Sequence, residues 1–202
     1  SAGVVTVFEL DPDQPLETLI VRRSEFDFGA DSEPWAAVIA ADGNTAYVIA
    51  RRAQTLTRIV DLRGKPSVSG ALRVGSEPTA IVISPNGRRV FAANWGDGTV
   101  SVVDSPPVSE SEAMNVGVDP RFKVSSSIDL NEALVGTGVL GSIKSRLGLA
   151  HPRALAITDD GDDEDGDETL YATEFFRTPG ATRTPSRCSP APSTARVRSA
   201  TM

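Results

Sequence analysis

The most concentrated set of chemically capable side chains is an acidic run, DDGDDEDGDE, at residues 159–168. It holds eight carboxylates in ten residues, and clustered oxygen ligands of this kind favour Ca²⁺. The spacing departs from the EF-hand loop, because Gly161 stands where that loop requires an acidic or amide residue before Gly166. We therefore expect a solvated hairpin tip whose charges repel one another. A Ca²⁺ site is the alternative, which calcium titration with thermal melting would test.

His151 is the only imidazole in the chain, and hence the only side chain whose ordinary pKa suits a general base near neutral pH. No G-x-S-x-G motif accompanies it, so a Ser-His-Asp triad is not indicated. We predict that His151 is a structural residue at a junction between repeats. Cys188 has no cysteine partner and lies in a tail of different composition, so it is not assigned as a nucleophile.

Three further features have both a chemical and a structural interpretation. Trp95, in N-W-G-D-G, suits stacking on a sugar or a base, but we expect it to pack between repeats. Asn94 is expected to bond to the backbone of its own turn. The residues Gly136, Gly138 and Gly141 match G-x-G-x-x-G literally, but they do not close a strand that enters a βαβ unit. We therefore assign no catalytic, cofactor-binding or metal-binding residue and expect no cofactor.

Composition narrows the class of protein. The 202 residues include 20 Lys and Arg against 27 Asp and Glu, a net charge of -7, and 40% are hydrophobic, which is enough for a folded core. The acidic total argues against nucleic acid or an anionic membrane as the main partner. The longest apolar stretch, residues 35–41, is far shorter than the roughly 20 residues of a membrane span, so no transmembrane segment is expected.

An internal repeat is the strongest pattern in the chain. Residues 33–50 read EPWAAVIAADGNTAYVIA and residues 77–94 read EPTAIVISPNGRRVFAAN, which align without a gap at a separation of 44 positions. A third copy reads HPRALAITDDG and resumes, after about six extra residues, with TLYATEFF. The aromatic residues Tyr47, Phe91 and Tyr171 thereby fall at equivalent positions. A fixed period of this kind indicates a repeat architecture.

Each copy has the pattern of short antiparallel strands. A proline opens a β-branched run, and Gly43 and Gly87, each after Asp or Asn, give hairpin turns because Gly adopts positive φ without steric cost. A second strand, another turn and a third strand follow, the last at residues 99–104 in the second copy. A fourth strand is expected before the next proline, at 71–74 and 25–28. Four such strands per repeat describe a propeller blade.

The segment VFAANWGDGTVSVVD, at residues 90–104, resembles the YVTN-type β-propeller repeat, with FAAN in the position that names the family. YATE at 171–174 and YVIA at 47–50 are variants, with Glu174 and Ala50 where the family usually has Asn. The resemblance implies an all-β fold, an incomplete β-propeller arc of four-stranded antiparallel blades with WD40-like repeats. One inter-blade insert and an irregular C-terminal tail complete the predicted fold class.

We predict a partial β-propeller over residues 3–176. Its parts are, in chain order, a blade remnant at 3–10, a blade at 25–62, a blade at 71–104, an insert at 105–150 and an incomplete blade at 151–176. Closed propellers have about four to eight blades, which leads to the hypothesis that this sequence is a fragment of a larger protein. Blade faces without a neighbour would favour self-association.

The insert begins with a Pro/Ser/Glu-rich excursion at residues 105–127. Beyond it, Asp129 is followed three residues later by Glu, as in a capping box, and Leu140, Ile143 and Leu147 have the spacing of one helical face. We interpret the insert as a surface flap with a small apolar docking face. A lip over a ligand site is the alternative.

The tail, residues 177–202, differs sharply from the rest. It carries five Arg and no acidic residue, whereas residues 1–176 carry all 27 acids. A disordered linker, a segment that binds an anionic surface and a frameshift product are the three interpretations, and the loss of the repeat in mid-blade favours the third. No third strand is expected from the tail.

The favoured function is a non-enzymatic β-propeller binding or scaffold module, with a protein or a glycan as partner. The alternative is part of a propeller enzyme, lactonase-like or a quinone- or haem-linked dehydrogenase, whose active-site parts lie outside this chain. The family resemblance implies a periplasmic, cell-surface or secreted envelope protein, although the first residues have no signal-peptide pattern.

Overall fold

The computed structural model describes residues 3–106, 119–161 and 166–174, and the backbone alone of 194–198. The described residues form an all-β structure with four antiparallel sheets, which make up an incomplete β-propeller arc. One short helix, α1 (Leu130–Gly136), occurs in these ranges. None of the described helical segments is long and apolar enough to cross a membrane.

The sheets follow one another in chain order. A half-blade contains β1 (Val4–Leu10) and β2 (Ile20–Asp27). Blade 1 contains β3 (Pro34–Ile39), β4 (Ala46–Ala50), β5 (Thr55–Val60) and β6 (Ser67–Arg73). Blade 2 contains β7 (Pro78–Ile83), β8 (Arg89–Asn94), β9 (Thr99–Asp104) and β10 (Lys123–Asp129). Blade 3 contains β11 (Pro152–Ile157), β12 (Thr169–Glu174) and β13 (Thr194–Arg198).

The first two strands of the blades pair in the register that the repeat predicts. Tyr47 lies opposite Val38 in blade 1, and Phe91 lies opposite Val82 in blade 2. In all three blades the register shifts directly after the opening proline, which lacks an N–H and therefore suits the start of a strand. The three copies of the sequence repeat thus build the same strand pair.

Apolar side chains between neighbouring sheets form the core, so that each sheet packs on the next. The cluster between blades 1 and 2 includes Ile49 and Leu56 from one and Val90, Ala92 and Val103 from the other. A second cluster joins blade 2, α1 and blade 3, and a third joins the half-blade to blade 1. The apolar face of each sheet is therefore covered mainly by the neighbouring sheets.

The sheets group the strands differently from the predicted blade bounds of 25–62 and 71–104. Residues 71–74 were expected to belong with the strand after them, but β6 pairs with β5 and completes blade 1. Likewise β2 pairs with β1 rather than with β3. The four residues between β6 and β7 carry the chain to the next sheet, whose first strand β7 packs beside β3 instead of pairing with β6.

The predicted insert, 105–150, contains the fourth strand of blade 2, β10, followed by α1. The helix begins as predicted at Asp129, whose carboxylate accepts from the backbone N–H groups of Asn131 and Glu132. It ends at Gly136, so Leu140 and Leu147 do not share a helical face, and Leu147 is exposed. Leu140 and Ile143 instead pack, with Leu130 and Leu134, in the cluster between blades 2 and 3.

The chain before β10 lies against blade 1 through a clamp segment, residues 119–122. The Phe122 ring is 2% exposed, and its Cδ1 lies 3.2 Å from where a Cβ on Gly70 would stand. The buried Arg58 guanidinium lies 4.4 Å from the centre of the Phe122 ring, and its Nε donates to Ser69 Oγ at 2.7 Å. Arg58 also lies 3.8 Å from a carboxylate oxygen of Asp119. The clamp segment therefore ties blade 2 to the sheet of blade 1.

Blade 3 includes backbone from the tail. Strand β13 pairs antiparallel with β12, with Tyr171 opposite Arg196, whereas the sequence led us to expect no third strand there. The remainder of the predicted tail lies outside the described residues, and so does most of the Pro/Ser/Glu-rich excursion.

Candidate binding site

The turns that follow β4 and β8 meet the segments that precede β3 and β7 in the same way. The Arg51 N–H donates to the carbonyl of Glu33 at 2.8 Å, and the Trp95 N–H donates to the carbonyl of Glu77 at 3.0 Å. Both donors and both acceptors are 44 positions apart. The repeat therefore builds one backbone contact twice and places different side chains on it.

Three residues near these two contacts have a left-handed backbone. The φ angles of Glu33, Gln54 and Glu77 are 54°, 56° and 50°. This conformation costs roughly 1–2 kcal/mol for a residue with a Cβ, so it persists only where the surrounding structure enforces it. Such positions concentrate at functional sites, and here they surround one cavity.

We call this cavity the junction pocket. It lies between blades 1 and 2 and has a volume of about 410 Å³. Its lining is polar and consists of Glu33, Arg51, Arg52, Gln54, Ser76 and Glu77. The pocket thus combines acceptors, donors and both signs of charge.

The charges of the junction pocket are balanced. Arg51 forms an ion pair with Glu77 at 3.0 Å and lies 3.8 Å from Glu33, so one guanidinium bridges the two blades. Arg52 lies 3.3 Å from Asp31. The arginines of the lining are therefore already neutralised by carboxylates.

Polar contacts also fix the floor of the pocket. Gln54 Nε2 donates to Ser76 Oγ at 3.4 Å, while Gln54 Oε1 accepts from Arg73 at 2.8 Å. These two bonds fix the orientation of the Gln54 side-chain amide. The pocket is consequently held in place before any ligand arrives.

An exposed aromatic residue lies beside the junction pocket. Trp35 is the second residue of β3, and 52% of its surface is accessible to solvent. The Arg51 guanidinium lies 4.9 Å from the centre of its ring system. Arg51 therefore connects the aromatic residue to the two carboxylates of the pocket.

The junction between blades 2 and 3 uses the equivalent positions with different chemistry. Trp95 replaces Arg51 and stacks on the His151 ring, with ring centres 4.6 Å apart and an angle of 23° between the planes. His151 Nδ1 lies 3.3 Å from the Trp95 carbonyl oxygen. The Arg153 guanidinium lies 4.3 Å from the Trp95 ring centre. The structure thus places both residues at a blade junction, as predicted.

Asn94 differs from its prediction. Its Nδ2 donates to the side chains of Thr99, at 3.0 Å, and Ser101, at 2.9 Å, rather than to its own turn's backbone. The residue is fully buried, so the neighbouring strand's hydroxyls are the acceptors within reach. Its role is to tie β8 to β9.

The acidic run lies between β11 and β12, where the repeat places the first hairpin turn. Within the described residues, carboxylate oxygens of Asp160, Asp167 and Glu168 lie within 4.8 Å of one another. Glu168 is buried and accepts from the Thr158 hydroxyl and from the Asp160 N–H. These bonds fasten the base of the hairpin, whereas residues 162–165 lie outside the described ranges. Calcium binding stays a prediction.

Glu174 occupies the position of Asn94 in blade 3. Burial raises the pKa of its carboxyl from the ordinary 4.5 to about 7. Among the described residues, its buried Oε1 has no hydrogen-bond partner. A carboxyl in such surroundings favours its neutral form.

The two remaining sequence features are the glycine motif and the single cysteine. Gly138 and Gly141 come after α1 and have positive φ, so G-x-G-x-x-G ends a helix here instead of opening one, as a dinucleotide fingerprint requires. Cys188 lies outside the described residues.

The junction pocket was not predicted from the sequence. A signal was present in the repeat alignment, because Glu33 and Glu77 both precede the opening proline of a blade. The partners of these carboxylates come from other turns, and Arg51 aligns with a tryptophan. Comparing aligned positions of the repeat therefore gave no indication that these residues meet in one pocket.

No family model matches the chain, and no curated protein matches it. Solved structures match it with low identity. The chain is similar to Kluyveromyces lactis Hsv2 (complete loop 6CD), with a TM-score of 0.54, 12% identity and coverage of 85% of this chain and 47% of that one. It is also similar to the β-propeller domain of Myceliophteria thermophila Cps50 (Swd1), with a TM-score of 0.52, 11% identity and coverage of 82% and 45%.

A putative 6-phosphogluconolactonase from Bacteroides fragilis gives a TM-score of 0.51, 16% identity and coverage of 84% and 43%. The chain therefore spans less than half the length of each of these three structures. At such identities the similarity establishes the β-propeller fold alone, and this fold carries many unrelated functions.

Proposed function

We propose that this chain is a non-enzymatic β-propeller binding module, with the junction pocket as its ligand site, and that it is part of a longer envelope protein. A periplasmic, cell-surface or secreted location belongs to the same proposal. The partner is a protein or a glycan whose polar groups enter the pocket.

The observation that carries this proposal is the balanced set of charges at the junction pocket. Arg51 is held by Glu33 and Glu77, and the three left-handed positions hold the backbone around them. Charged and polar groups that are fixed in advance bind a ligand without the cost of ordering them. The volume also lies in the range of small-molecule and side-chain sites.

Binding is favoured over catalysis because the side chain best suited to act as a general base is not part of the pocket lining. The only imidazole, His151, stacks on Trp95 at the other junction, away from the pocket lining. A general base must lie within hydrogen-bond reach of the proton that it removes. The lactonase alternative rests on a fold that a putative 6-phosphogluconolactonase shares, and no contact in the pocket favours it specifically.

The test is a binding screen of the purified chain on arrays of defined peptides and defined glycans. Glu77→Gln removes the closer of the two carboxylates that hold Arg51. We expect it to weaken binding of the best array member about tenfold or more, because the arginine keeps only the longer contact with Glu33 and reorients. Glu17→Gln changes an exposed carboxylate in the turn between β1 and β2, outside the pocket lining, and should leave binding unchanged.

The proposal is overturned if neither array contains a ligand, or if Glu77→Gln and Glu17→Gln bind equally well. Hydrolysis of gluconolactone that is lost in Glu77→Gln would replace it with the lactonase-like alternative.

A further inference from the structure

We propose that the junction pocket and Trp35 together bind an uncharged saccharide, with Trp35 as the stacking surface for a sugar ring. This inference rests on the proposed binding function and names the chemical class of its ligand.

The electrostatics of the pocket select against a charged ligand. Its lining contains two carboxylates and two guanidinium groups. Arg51 lies within 4 Å of both Glu33 and Glu77, and Arg52 lies within 4 Å of Asp31. A phosphate or carboxylate ligand would have to displace an existing anion from an arginine, and a basic ligand would have to displace an arginine from its carboxylates.

The hydrogen-bonding groups suit vicinal hydroxyls. Each hydroxyl donates one bond and accepts up to two, so a sugar needs donors and acceptors interleaved at short range. The carboxylates of Glu33 and Glu77 supply acceptors, Arg51 supplies donors between them, and Gln54 with Ser76 supplies both. A bridging arginine between two carboxylates repeats this alternation across the blade junction.

Trp35 supplies the apolar part that such a site needs. A sugar ring has C–H faces that pack on an aromatic surface, and an indole offers a large rigid one. Trp35 is half exposed although a hydrophobic residue of its size is usually covered, and Arg51 fixes its ring from 4.9 Å. The same guanidinium therefore links the stacking surface to the hydrogen-bonding groups.

The size of the site supports a short saccharide rather than an extended chain. The volume of about 410 Å³ is near the lower end of ligand sites, and its lining is formed by turns of two blades. We expect a terminal sugar of a glycan to occupy this site with one ring on Trp35 and its hydroxyls toward the lining of the pocket.

The experiment measures binding of cellobiose and N,N′-diacetylchitobiose by isothermal titration calorimetry and by indole fluorescence. The chain has two tryptophans, so Trp95→Phe leaves Trp35 as the only indole reporter. We expect one of the neutral disaccharides to bind and to change Trp35 emission. Its affinity should vary by less than about threefold between low and high salt, because salt screens charge–charge attraction and not stacking.

The variants separate the two parts of the site. Trp35→Ala and Glu77→Gln should each weaken disaccharide binding about tenfold or more. Ile39→Ala removes another exposed side chain, 60% accessible, from the same strand and should change binding less than about twofold. Calorimetry on the wild-type chain covers the case in which Trp95→Phe does not fold.

The outcomes distinguish this inference from the proposed function. Preferred binding of chitobiose, which is cationic, or of cellobiouronic acid, which is anionic, overturns the neutral class. An array peptide that needs Glu77 while no disaccharide binds overturns the inference and leaves the binding function standing. Absence of any ligand on the arrays and in calorimetry overturns both.

Discussion

Truncation of Phe122 to alanine should destabilise the protein more than any substitution on its exposed surface. The ring is 2% exposed, packs against Gly70 and covers the Arg58 guanidinium at 4.4 Å. Replacing a buried Phe by Ala costs about 3–5 kcal/mol, because transfer energy is lost and a cavity remains. Loss of the cation–π contact in this desolvated place adds about 1 kcal/mol, so we expect about 4–6 kcal/mol in all.

The protein offers a matched control for this substitution. Phe8 on β1 also lies beneath an arginine, with the Arg23 guanidinium 5.9 Å from its ring centre, but it is 49% exposed. Phe8→Ala should therefore cost less than about 1 kcal/mol, because it leaves no closed cavity. The comparison separates the burial of the Phe122 ring against blade 1 from the mere presence of an arginine over a ring.

Urea denaturation followed by circular dichroism measures both variants, with free energies of unfolding from linear extrapolation. A domain of ordinary stability has a free energy of unfolding of about 5–15 kcal/mol. Phe122→Ala is therefore expected to be largely unfolded without urea or to unfold at a much lower urea concentration than the wild type. Phe122→Leu keeps most of the volume, should lose about 1–2 kcal/mol and remains measurable if the alanine variant does not fold. Equal costs for Phe122→Ala and Phe8→Ala would refute the role given to the clamp segment.

Three further predictions concern a buried carboxyl, a helix cap and the half-blade surface. The raised pKa of Glu174 means that the folded state keeps a proton that the unfolded state loses, so wild-type stability should fall as pH rises from about 4.5 to 7. Glu174→Gln should lack this fall and gain about 1 kcal/mol at pH 8 after allowance for partial solvent screening; parallel pH profiles in urea denaturation would contradict it. Asp129→Ala removes the cap of α1 and should cost about 1 kcal/mol in the same assay, whereas a change below 0.3 kcal/mol would argue against the cap. Leu10 and Ile20, each 55% exposed on the half-blade, should promote self-association, and Leu10→Lys should lower the association constant in analytical ultracentrifugation; unchanged sedimentation would exclude this surface.

Much of the fold follows from repetition in the sequence. The alignment of Tyr47 with Phe91 predicted a shared strand pair, and the structure has that pair in the same register. The prediction succeeded because strands, turns and the opening proline are encoded locally, within one repeat. Strand β10 was missed for the opposite reason, since its sequence KVSSSID is mostly exposed and lacks the alternation of a half-buried strand.

The junction pocket could not be predicted in the same way. Its ion pair joins Arg51 to Glu77, 26 residues apart and in different blades, and neither residue has a distinctive motif. The helical spacing of Leu140 and Leu147 was equally uninformative, because the helix ends at Gly136, and Gly138, with positive φ, precedes both residues. Contacts between repeats depend on how the sheets pack, which the period alone does not specify.

The two blade junctions have a consequence for the order of the repeats. Blades of such similar sequence could exchange places during folding, and misassembly of this kind is a characteristic hazard of repeat proteins. The equivalent positions carry Arg51 with Glu77 at one junction and Trp95 with His151 at the next. A blade inserted out of order would bring an arginine against a histidine and leave a carboxylate facing an indole. The side chains at these two junctions thus favour the order blade 1, blade 2, blade 3 over the alternatives.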